Sequence, residues 1–160
     1  RRSLPVADLL LTPADAVAES RETTAGGATL EHRLHRGELI VGYRLPVDAA
    51  SKRSVYLKVR DRASYAYALV SAAACLSLRD GAVETARVAL GSVAMKPWRL
   101  PRLESSLRGR PVAEKTLDAA LDAAFAEARP RPGHDPQLTL ARNTARRAVE
   151  AAAGLTEVSR

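Results

Sequence analysis

Between two apolar arms, ALVSAAACLSL and VETARVALGSVAM, the chain sets the four residues Arg79-Asp80-Gly81-Ala82. An Asp-Gly pair takes positive φ at two successive positions cheaply, and the tight turn that matches strand twist needs that. The Ala content of both arms would also allow helix. The turn chemistry favours a β-hairpin, and a hairpin needs further strands or helices to bury its apolar side.

Its neighbours supply them. SVYLKVR (54–60) alternates, with Val55, Leu57 and Val59 on one face and Tyr56, Lys58 and Arg60 on the other. GELIVGYRLP (37–46) alternates similarly and reads as a strand stopped by Pro46, with Gly42 marking a bulge or a close approach. Three helical stretches follow. KPWRLPRLESSLRG is expected to be a short helix ended by Gly109, with Trp98, Leu103 and Leu107 on one face. AEKTLDAALDAAFAEA (113–128) is amphipathic through Leu117, Leu121, Ala124, Phe125 and Ala128. In the last, 135–154, Asp135 is placed to cap, Pro136 sits in the first turn and Gly154 beyond the end. Strands followed by helices predict an α+β fold: a small antiparallel sheet of about three strands packed against a three-helix layer.

At 160 residues this is about one domain's length, and 4% aromatic content leaves a core of Leu, Val and Ala. The net charge of +7 is dispersed. Lys plus Arg against Asp plus Glu run 11 to 8 over residues 1–62, 7 to 3 over 63–112 and 7 to 7 over 113–160. A nucleic-acid binder usually concentrates its cations and shows exposed stacking aromatics, so nucleic acid is not the expected partner. No apolar run is long enough to cross a bilayer, and no membrane partner is expected. One cysteine, Cys75, excludes an internal disulfide and reads as a buried filler; with His32, His35 and His134 it gives no metal-ligand spacing. Ser71 and Ser77 have no local His partner, and AGGAT (25–29) reads as a loop, not a dinucleotide fingerprint. No catalytic residue and no metal ligand is assigned.

YLKVRDRASYAYALV (56–70) puts Lys58, Arg60, Asp61 and Arg62 directly before a core-like run. Lys58 on the polar side of a strand is either a solvent-facing cation or one directed into a polar cleft, where it would hold an anion or a carbonyl.

GELIVGYRLP, YLKVRDRASYAYALVSAAACLSL and ARVALGSVAMKPWR, in that order and at those separations, closely resemble the FAD-binding subunit of molybdenum hydroxylases. That family includes xanthine dehydrogenases, carbon monoxide dehydrogenases and aldehyde oxidoreductases. The resemblance implies that residues 1–46 are the C-terminal tail of the FAD-binding domain, truncated, and 52–160 the C-terminal α+β domain. It implies FAD contacts at Ile40, against the ring system, and at Lys58, as a cationic hydrogen-bonding group. It further implies a cytoplasmic complex in which electrons pass from a molybdenum cofactor through 2Fe-2S clusters in partner subunits to FAD, and then to an external acceptor. The family's glycine-rich pyrophosphate loops find no counterpart here, so the chain alone is expected neither to retain FAD nor to be active. Its partners would be the N-terminal remainder of the FAD subunit, the molybdenum-cofactor subunit and the iron–sulfur subunit. The alternative is a stand-alone interaction domain that binds an acidic protein or nucleic acid through Arg36, Arg44, Arg53, Arg60 and Arg62.

Overall fold

In the computed structural model, residues 1–18 and 31–156 are described, so AGGAT lies outside the described residues. The chain divides into two compact units, Arg1–Leu45 and Pro46–Arg160.

The first unit holds two short helices, α1 (Val6–Leu9) and α2 (Pro13–Ala18). The start of α2 is fixed by a reciprocal box: Asp15 Oδ2 accepts from the Thr12 N–H at 2.8 Å, and Thr12 Oγ1 accepts from the Asp15 N–H at 3.2 Å. A bridge between Leu10 and His32 and backbone bonds Leu11 N–H to Glu31 O (2.8 Å) and Arg33 N–H to Leu9 O (2.8 Å) close the unit. Arg2 reaches across it, donating to both Glu38 carboxylate oxygens at 2.9 and 2.6 Å.

That Arg2 fork, helped by the His35 N–H, holds the Glu38 carboxyl at about 2 instead of 4.5. A depressed carboxyl pKa contributes to folding above its unfolded value, and the contribution is lost as pH falls from 4.5 toward about 2. An NMR titration of Glu38 should therefore show a midpoint near 2, and Arg2→Ala should return it toward 4.5. An ordinary midpoint in the intact chain would discard the pairing.

GELIVGYRLP departs from expectation. Residues 38–48 form no strand, although their apolar side chains alternate. A strand needs a backbone partner as well as a pattern, and no described strand pairs with this one. Leu39, Val41, Tyr43 and Leu45 are 82, 69, 69 and 77% exposed.

The second unit is the α+β layer. Four antiparallel strands, β1 (Ser54–Val59), β2 (Val70–Arg79), β3 (Ala82–Gly91) and β4 (Trp98–Arg99), lie in sequence order. The hairpin forms as the turn chemistry requires, with Asp80 at φ 52° and Gly81 at φ 77°. Ser77 opposes Thr85 and Leu78 opposes Val83, so Glu84 is the extra residue of a bulge.

Helices α3 (Pro101–Leu107), α4 (Glu114–Phe125) and α5 (Asp135–Ala153) follow. α5 packs on β1 and β2, α3 on β3, and α4 on α3 and α5. Val70, Ala72, Ala74 and Leu76 of β2 join Val88 and Leu90 of β3, Leu103 and Leu107 of α3, and Leu117 and Leu121 of α4 in one buried cluster. Alanines line α5 where it enters the cluster: Ala141, Ala145, Ala148 and Ala152. Arg142 joins α5 to α4, at 3.0 Å from Asp118 and 2.7 Å from Asp122, and Arg146 also pairs with Asp118.

Three local expectations are corrected. Trp98 is not helical; it pairs with Leu90 as the fourth strand, and the helix begins at Pro101, whose ring suits a first turn. The Trp98 ring instead meets Phe125 of α4 edge-on, centroids 5.4 Å apart. The α5 cap is His134, without a side-chain bond, and Asp135 is the first helical residue, where its charge still favours the helix N-terminus. Cys75 is half-buried, not a filler of the core, because β2 alternation turns it to the face away from the helices.

Candidate functional site

The strand register defines that second face of the sheet. Val55, Leu57 and Val59 are half-buried toward the helices, whereas Ser54, Tyr56 and Lys58 point the other way and are exposed. Pairing then lays out three rows: Ser54–Cys75–Arg87, Tyr56–Ala73–Ala89–Arg99 and Lys58–Ser71–Gly91. The middle of the face is small: Ser71, Ala73, Ala89 and Gly91. Tyr56, 62% exposed, and Lys58 stand at its β1 margin.

Three cations stand in these rows, and two are already neutralised. Arg87 pairs with Asp48 at 2.6 Å, and Arg99 holds Glu104 through Nε and Nη2 at 2.8 to 3.0 Å. The Arg87 guanidinium, then the Ser51 N–H, push the Asp48 carboxyl below the usual carboxylate range, and the same pairing raises Arg87. Lys58 makes no hydrogen bond or ion pair among the described residues. Of the three, it is the one left for a group from outside.

Of the three buried polar side chains, Ser71, Ser77 and Thr144, two are satisfied internally. Ser77 Oγ meets Thr85 Oγ1 at 2.6 Å, and Thr144 Oγ1 donates to Leu140 O at 2.7 Å. Ser71, 6% exposed as a residue, makes no side-chain hydrogen bond among the described residues, and its Oγ stays within reach of solvent, since no fully buried side-chain polar atom among them lacks a partner. Its hydroxyl leans over Gly91: a Cβ at residue 91 would come within 2.5 Å of Ser71 Oγ.

Ile40, the other expected contact, belongs to the first unit. It is 41% exposed and lines, with Leu4, Leu9 and Leu34, a cleft of about 1030 Å³. The five arginines of the interaction-domain alternative are all exposed, with Arg36 and Arg44 in the first unit and Arg53, Arg60 and Arg62 in the second. Arg62 is turned onto its own loop: it donates to the Tyr65 carbonyl and lies 5.8 Å from that ring's centre. Among the described residues no cluster of three or more His, Cys, Asp or Glu side chains could hold a metal, and no helix is long and apolar enough to cross a membrane.

Sequence reasoning put Lys58 on the outward side of its strand but singled out neither Ser71 nor Gly91 as its neighbours. Their signal is the register, which brings residues 58, 71 and 91 into one row and which no one-dimensional pattern states.

Comparison with known proteins covers this same region. Residues 55–153 match the CO dehydrogenase flavoprotein C-terminal domain. The aldehyde oxidoreductase FAD-binding subunit PaoB of Escherichia coli is 44% identical over 115 residues, 72% of this chain. The chain spans about a third of that relative's length, 33%. Among solved structures, quinoline 2-oxidoreductase from Pseudomonas putida superposes with a TM-score of 0.58 at 31% identity, covering 66% of this chain and 38% of the other. Carbon monoxide dehydrogenase from Hydrogenophaga pseudoflava gives a TM-score of 0.58 at 26% identity, with 65% and 37% covered.

Proposed function

Because this chain belongs to the CO dehydrogenase flavoprotein C-terminal domain family, we propose that it works as part of the FAD-binding subunit of a molybdenum-containing hydroxylase, where its sheet closes one side of the flavin. The observation that carries the reading is Lys58, unpaired among the described residues, beside a small-residue floor on the sheet face turned away from the helices.

That face suits the flavin chemically. A flat ring can lie against Ala73, Ala89 and Gly91, and a flavin's polar edge offers carbonyl and ring-nitrogen acceptors to a cation. Lys58 would donate to that edge and keep a positive charge beside it. Ile40, on its own unit, would lay an aliphatic side chain against the ring system. When bound, FAD supplies electron transfer between the iron–sulfur and molybdenum centres of partner subunits and an external acceptor. The substrate oxidised at the molybdenum subunit would be an aldehyde or heterocycle. None of the groups singled out here takes part in that oxidation; the chain's share is to hold and tune the flavin and to dock the other subunits, in a cytoplasmic complex.

A titration of the complete subunit with FAD, followed by flavin fluorescence, tests this. Lys58→Met should weaken binding about ten-fold or more, the usual worth of a hydrogen bond to a charged group. Wild-type affinity in the variant would remove Lys58 from the site, and the reading with it.

A further inference from the structure

Resting on the flavin reading above, we infer that Gln137 of α5 is a positioning residue for the flavin site, its side-chain amide latching the strand ends from which Lys58 reaches the ring.

Lys58 is the last residue but one of β1, and its row closes the sheet at that end. Beyond the row the chain leaves the sheet twice, between β1 and β2 and between β3 and β4. Gln137, half-buried in the first turn of α5, reaches both exits. Its Nε2 donates to Ser92 O at 3.1 Å and to Leu69 O at 3.4 Å. A carbonyl can only accept, so the amide nitrogen faces these two and Oε1 is left toward His134 Nδ1, 3.2 Å away. His134 thus carries a proton on Nδ1 and holds the amide in this orientation.

From the two carbonyls the bonds continue to Lys58 through the backbone. Leu69, whose carbonyl Gln137 holds, donates its own N–H to Val59 O at 2.9 Å, and Val59 directly follows Lys58. The chain entering β2 is thereby fixed between α5 and the end of β1. On the third strand, Ser92 stands directly after Gly91 at φ 65°, a left-handed conformation that costs a serine energy. Such a residue persists where its surroundings over-determine it, and the Gln137 bond to its carbonyl is one of those constraints. One amide therefore ties together the ends of the three strands that carry Lys58, Ser71 and Gly91. It acts from the helix side, whereas Lys58 points to the opposite face, so its effect on the flavin passes through the strand. A lysine's flexible four-carbon stem gives its ammonium wide range, and a directed bond to the ring needs a fixed backbone beneath it.

The experiment compares the complete subunit with Gln137→Met, Gln137→Leu, Lys58→Met and the double variant Lys58→Met/Gln137→Met. FAD affinity, flavin midpoint potential and melting of the flavin-free protein are read for each. Both Gln137 variants remove the donors without adding charge, so either serves where the other folds poorly. Each should weaken FAD binding about three-fold and lower the midpoint potential, because a misplaced Lys58 no longer favours the negatively charged reduced ring. In the Lys58→Met background the Gln137 substitution should change neither, since the latch acts through Lys58. Lower melting with wild-type affinity and potential would make Gln137 a structural tie alone. Effects that add to those of Lys58→Met would show that it acts elsewhere. Either result overturns the inference and leaves the flavin reading standing. If Lys58→Met itself leaves binding and potential unchanged, the flavin does not lie beside Lys58, and both readings fall.

Discussion

Replacing Leu76 by alanine should remove about 2–5 kcal/mol from the stability of the Pro46–Arg160 unit. Leu76 is fully buried in β2, opposite Ala86 and two residues from Ala74. Deleting its branched end forfeits the transfer free energy of the lost carbons and leaves a hole. The alanines around it are short and cannot swing in to fill the space, so the loss should fall in the upper part of the range. Urea unfolding of the chain measures it through the midpoint, with the slope unchanged. A loss under about 1 kcal/mol would mean that the helices settle onto the sheet and close the gap, which places the cost of cavities well below the usual range.

The opposite change on the helix side is expected to cost nearly as much. Ala145 is fully buried on α5, in the row with Ala141, Ala148 and Ala152. Small residues on both α5 and β2 let the helix lie close to the sheet. Ala145→Leu forces extra carbons into that seam, and overpacking of this kind costs about 1–3 kcal/mol, occasionally more. Thermal melting should register it as a drop of roughly 4–8 °C per kcal/mol. A melting temperature at or above wild type would show a void beside Ala145 and contradict the close approach.

Much of the second unit was legible because its signals are local. Asp80-Gly81 named its turn, β1 carried its alternation within six residues, and α4 and α5 showed apolar spacing over several turns. β4 was not legible: two residues carry no period, and Trp98 was drawn into the helix that follows because Leu103 and Leu107 share its spacing. GELIVGYRLP failed for the converse reason. Its pattern is strand-like, but whether it pairs depends on a neighbour that the segment itself does not encode. At the site, Lys58 could be placed by face and by resemblance, whereas Ser71 and Gly91 gain meaning only when three strands are aligned.

The placing of α5 also sets a condition on how the unit can be made. It begins more than forty residues after the hairpin ends at Gly91, yet it is the helix that covers β1 and β2; of the strands, α3 reaches only β3. On a ribosome the hairpin therefore emerges long before its cover does. During that interval Val70, Ala72, Ala74 and Leu76 face water, beside a β1 edge open to any passing strand. The order of synthesis makes the last helix the step that turns a sticky nascent hairpin into a finished layer.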